Sequence, residues 1–102
     1  MKILLDACVP RPLRNFLTAH TVKTAQEMGW GTLKNGALLQ AAETEFEAFL
    51  TSDQNLKYQQ NIAGRRLAIL VLPTNDWPTL RGLGERIAVQ VAVLKSGDFV
   101  EM

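Results

Sequence analysis

The chain has 102 residues, 47% of them apolar and 21% charged, with a formal net charge of +1. That length suits one domain, the apolar fraction excludes a disordered chain, and the balanced charge excludes a bulk field that would by itself attract nucleic acid. One cysteine, Cys8, excludes an internal disulfide and gives no sign of an oxidising compartment.

The first apolar run, residues 3–5, ends at Asp6, too early for a secretory signal. The longest later run, residues 67–72, is far short of the roughly 20 residues that a membrane span needs. A cytoplasmic protein with no membrane partner is the expectation.

Residues 3–5 are continuously apolar, the pattern of a strand covered on both faces in a parallel sheet. Pro10 and Pro12 then open a helix, since its first turn loses no hydrogen bond to proline. Leu13, Phe16 and Leu17 share one face of it. Residues 20–24 alternate as an edge strand does, residues 26–28 suit one helical turn stopped by Gly29, and residues 30–34 read as loop. Asn35 stands where an N-cap belongs, ahead of a helix over 36–46 whose inward face is Leu38, Leu39, Ala42 and Phe46.

A third strand over 49–52 ends at Asp53. A short helix over 54–61, closed near Gly64, leads to the fourth and most apolar strand, 67–72, which Pro73 stops. Pro78 opens one long helix to residue 95 through Gly82 and Gly84, with Ile87, Val91 and Leu94 inward. Ser96-Gly97 turns the chain into a last strand over 99–101. The alternation predicts a single α/β domain over residues 1–102, a mostly parallel five-stranded sheet between two layers of helices. Right-handed crossovers favour the order 2-1-3-4-5, with strands one and three adjacent where the winding reverses.

That reversal gives Asp6 and Asp53 their interest, because loops leaving adjacent strands at such a point diverge around a crevice. Two carboxylates converging there repel unless a cation sits between them or one is protonated. Mg²⁺ or Mn²⁺ suits such oxygen ligands, activates water and steadies a phosphate under attack. The competing reading makes each Asp the N-cap of the helix that follows it. Asn35, Asn55, Gln59 and Asn61 can orient water or substrate on the same edge, or serve as turn formers. Lys34, Lys57, Arg65 and Arg66 can line its rim and meet phosphates, or be plain solvated surface. Arg11 and Arg14 make a basic strip near Asp6, or pair with acids.

The remaining chemistry-bearing residues point elsewhere. His20, the sole histidine, falls at the start of strand two, away from the crevice. Cys8 has no histidine beside it and reads as a small buried apolar group. Glu43, Glu45 and Glu47 can supply a further acid, but Glu43 falls two turns along its helix from Asn35, outside the site. Trp30 and Trp77 cover the core or an interface. No glycine-rich phosphate loop is present.

The opening residues 1–10, then Leu33-Lys34-Asn35-Gly36, then Leu50-Thr51-Ser52-Asp53-Gln54-Asn55-Leu56, resemble the small PIN-like proteins, over nearly the whole chain. The most diagnostic pieces are the strand-Asp-x-x-x-Pro opening and the later Thr-x-Asp. The resemblance implies a three-layer α/β/α sandwich with acids at the carboxyl edge that bind Mg²⁺ or Mn²⁺ and cleave RNA. Many members are toxins with a cognate antitoxin. Asp6 matches the first acid, and Asp53 the acid of Thr-x-Asp. Relatives often carry acids where Ala7 and Asn35 stand, and in the stretch of Asn55 and Lys57, so this site is short of carboxylates.

Three functions follow as expectations. The first is a metal-dependent ribonuclease, with Asp6 and Asp53 on the ion, Asn35 and Asn55 orienting water or substrate, and Lys34 or Lys57 on phosphate. The second is a decayed module that binds RNA or a protein partner without cutting. The third is a subunit of a homodimer, joined through the last helix or Trp77.

Overall fold

The computed structural model describes residues 1–56 and 64–102. Five strands form one sheet: β1 (Lys2–Leu5), β2 (Thr21–Thr24), β3 (Ala48–Thr51), β4 (Ala68–Val71) and β5 (Phe99–Glu101). The order is β2-β1-β3-β4-β5 and every neighbouring pair is parallel, as the sequence pattern predicts. A 3₁₀ helix (Arg11–Phe16) joins β1 to β2, and α1 (Asn35–Glu45) joins β2 to β3. Helices α2 (Trp77–Gly82) and α3 (Gly84–Ala92) join β4 to β5.

The continuous apolar runs are explained by cover on both faces. Side chains alternate along a strand, so Ile3, Leu5, Leu50 and Leu70 pack with Leu13 and Leu17 of the first connection and with Leu80, Ile87 and Val91 of the last. Leu4, Phe49, Ile69 and Val71 face the other way, onto Leu38, Leu39, Ala42 and Phe46. The first crossover therefore lies on one face and the second on the other. The winding reverses between β1 and β3, which places the ends of those two strands at the crevice.

Trp30 and Trp77 cover these two clusters rather than standing free. Trp30 meets Phe46 edge to face at 6.1 Å, and Trp77 lies 6.5 Å from Phe16. Among the described residues no helix is long and apolar enough to cross a membrane.

Two local expectations are corrected. The helix opened by Pro10 is a 3₁₀ helix, tightened by i+3 bonds from Leu13 to Pro10 and from Leu17 to Arg14. The single long helix expected over 78–95 is two helices, interrupted at Leu83 with φ −99° and ψ 2°. Gly82 and Gly84, both poor helix formers, flank the break, and Gly84 sits against the Phe16 ring so closely that a Cβ there would overlap it. The first of the two helices is capped by Asp76, whose carboxylate accepts from the N–H and the hydroxyl of Thr79. The expected helix over 54–61 lies mostly outside the described residues, which include only its turn at Gln54 and Asn55 and the buried Leu56.

Candidate functional site

Asp6 directly follows β1, and its N–H donates to Leu50 O at 2.9 Å, so ladder bonding to β3 fixes its place. Its side chain is nearly buried, with 8% exposed. Oδ1 accepts from the N–H of Ala7 at 2.7 Å, and Oδ2 accepts from the Thr51 hydroxyl at 2.7 Å. The Cys8 thiol approaches the same Oδ2 at 3.6 Å.

Thr51 closes β3 and is wholly buried. While its hydroxyl donates to Asp6, the same oxygen accepts from the N–H of Asp53 at 3.1 Å. One hydroxyl thus joins the two aspartates across the ends of adjacent strands. Asp53 Oδ1 accepts from the Asn55 N–H at 2.9 Å, an Asx turn that shapes the loop. Asp53 Oδ2 accepts from the side-chain amide of Asn35 at 2.7 Å. The Gln54 amide donates to Leu72 O and ties this loop to the exit of β4.

The geometry settles several alternatives. Asn35 is not the cap of α1: Lys34 holds that position with no side-chain cap bond, and the Asn35 amide reaches across to Asp53 instead. Cys8 is exposed rather than buried, because the turn after Asp6 carries it out of the sheet, where Ser52 Oγ donates to its sulfur at 3.1 Å. Asn55 serves through its backbone, and its side chain is exposed. Lys34 is exposed beside Asn35. Lys57, Gln59 and Asn61 lie outside the described residues.

Arg65 and Arg66 are displaced from the crevice altogether. They precede β4, and in a parallel sheet residues entering a strand lie at the amino edge, opposite the aspartates. There Arg65 pairs with Glu43 at 3.3 Å, and the Arg66 N–H donates to the same carboxylate at 2.8 Å. That clasp ties α1 to the entry of β4 and keeps Glu43 out of the site. His20 is at the same far edge, its Nδ1 3.1 Å from the Met1 amine.

Arg14 pairs with Glu27 at 2.9 Å, so this member of the basic strip is engaged. The Thr24 N–H and then the Arg14 guanidinium hold the Glu27 carboxyl below its ordinary range. Arg11 is exposed at the start of the 3₁₀ helix.

Each carboxylate oxygen can accept two hydrogen bonds. Asp6 Oδ1 and both oxygens of Asp53 each have one donor among the described residues, so each keeps acceptor capacity. The donors are hard oxygens, the kind that Mg²⁺ and Mn²⁺ take. Mg²⁺ commonly uses one or two carboxylates and keeps several waters. Among the described residues no group of three or more His, Cys, Asp or Glu stands together for an ion. A cation here would rest on two carboxylates, water and substrate oxygens.

Thr51 is the residue whose role sequence reasoning missed. The signal was present: a hydroxyl closing an otherwise apolar strand, two residues before an acid. Comparison with protein families, with curated proteins and with solved structures finds no match.

Proposed function

We propose that the chain is a PIN-like, metal-dependent ribonuclease, with Asp6 and Asp53 as ligands of Mg²⁺ or Mn²⁺ and Asn35 holding Asp53 in place. The observation that carries this is the Thr51 hydroxyl bridging two aspartates at the exits of the adjacent strands β1 and β3. It fixes the Asp6 carboxylate and the Asp53 backbone, while Asn35 and the Asn55 N–H hold the Asp53 carboxylate, so both groups are set before any ligand arrives, the preorganisation that phosphodiester hydrolysis requires. When bound, the ion would supply an activated water and charge neutralisation at the phosphate. In the same reading Lys34 and Lys57 contact the RNA backbone, and a cognate antitoxin covers the edge, as in the toxins that the sequence resembles.

The test is calorimetry with Mn²⁺ and Mg²⁺ on the wild type, Asp6→Asn and Asp53→Asn, followed by cleavage of a mixed-sequence RNA. Binding lost in both variants, with metal-dependent cleavage by the wild type, is expected. Unchanged metal affinity in Asp53→Asn would sink the assignment.

A second reading has its own observation. Asn35 gives Asp53 a neutral amide partner where relatives often carry an acid, so the site has two carboxylates and balances one of them without a cation. That suits a module that binds RNA or a protein without cutting it. RNA binding that is insensitive to chelator, with no cleavage, would decide for it.

A further inference from the structure

Beside the Asp6 turn, at the carboxyl ends of β1 and β2, lies an open recess of about 370 Å³, within the usual range of ligand pockets. Val9, Pro10 and Ala7 form an apolar wall. Gln26 and Arg11 stand at its polar side. The Gln26 side-chain Nε2 donates to Ala7 O at 3.2 Å, and its side-chain Oε1 has no partner among the described residues. The Arg11 guanidinium likewise has none among them. Glu27 also lines the recess, but Arg14 balances its charge, and the N–H groups of Thr24 and of Glu27 itself are both satisfied within that turn. It therefore presents little net repulsion to an anion.

We propose that this recess is a nucleotide subsite. It takes the nucleotide next to the phosphate that an ion on Asp6 and Asp53 would hold: its base lies against Val9 and Pro10, its edge meets the Gln26 amide, and its phosphate meets Arg11. Single-stranded RNA is recognised in this manner, by a face for the unstacked base, a hydrogen-bonding group for its edge and a cation for the backbone. Ala7 links the two sites physically: its N–H donates to Asp6 Oδ1, and the residue lines the recess. The inference rests on the ribonuclease reading for its role, but its ligand binding is separately measurable.

The experiment titrates the four nucleoside 5′-monophosphates, and inorganic phosphate alone, into metal-free ¹⁵N-labelled protein. Expected are shifts at the Gln26 side-chain amide and at the backbone N–H groups of Ala7 and Thr24. Arg11→Ala should weaken the affinity roughly tenfold, the loss of one charge-assisted contact. Gln26→Ala should weaken it several-fold, and Arg86→Ala, at the far side of α3, should not. Absence of shifts at these groups overturns the subsite while leaving metal-dependent cleavage to its own test. Equal response to phosphate alone also overturns it, since a bare anion site needs no recess. Nucleotide binding here together with no RNA cleavage keeps the subsite and removes the nuclease.

Discussion

Replacing Thr51 by valine keeps the shape of the side chain and deletes its hydroxyl. The deletion removes the 2.7 Å bond to the nearly buried Asp6 carboxylate. A hydrogen bond to a charged group contributes about 1.5–3 kcal/mol. It also strands the Asp53 N–H, at a further cost of about 1 kcal/mol, moderated because Asp53 is only half-buried and water can reach it. Thr51→Val should therefore lose about 2–4 kcal/mol. A domain of this size shifts its Tm by about 4–8 °C per kcal/mol, so the fall is roughly 10–30 °C. Urea unfolding followed by circular dichroism, with an unchanged m-value, is the assay. Thr51→Ser is the control, because it keeps the hydroxyl and loses one buried methyl, worth about 1 kcal/mol. If the valine variant is as stable as the wild type, or if serine is the worse of the two, the hydroxyl does not hold the site together.

Asn35→Asp should raise Mn²⁺ affinity roughly tenfold by adding a third carboxylate beside Asp53 while lowering metal-free stability, as calorimetry and unfolding would report; equal affinity would detach Asn35 from the site. Gly84→Ala should destabilise by up to about 2 kcal/mol in thermal unfolding, because overlap with Phe16 costs about 1–3 kcal/mol against about 1 kcal/mol of helix propensity gained. Arg14→Ala should be less stable than the wild type at neutral pH, with the gap closing in acid. Glu27 has a folded pKa held below its ordinary 4.5, so its contribution is present above that value and is lost as pH falls through the lower folded one. Unfolding curves from pH 7 to pH 2 would show it, and a gap independent of pH would contradict the pairing.

Sheet, order and edge were legible in the sequence because they depend on patterns repeated along the chain. Residues 3–5 and 67–72 are apolar without alternation, and only a strand covered on both faces tolerates that. Once the elements alternate, crossover handedness leaves few orders, and Asp6 and Asp53 fall at the same edge as a consequence. Arg65 and Arg66 could have been placed by the same logic, since residues entering a parallel strand lie opposite those leaving it.

What the tertiary structure alone decided depends on atoms brought together from distant positions. The amide of Asn35 had two possible partners, its own helix end and Asp53, and only the fold put the carboxylate 2.7 Å away. The need for glycine at position 84 is invisible locally, because the Phe16 ring packed against it lies about seventy residues earlier in the chain. Cys8 reads as buried from its type, yet the tight turn after Asp6 turns it outward. Thr51 becomes a bridge only when β1 and β3 lie side by side, since a hydroxyl can donate to one aspartate and accept from the other only if the strands deliver both to it.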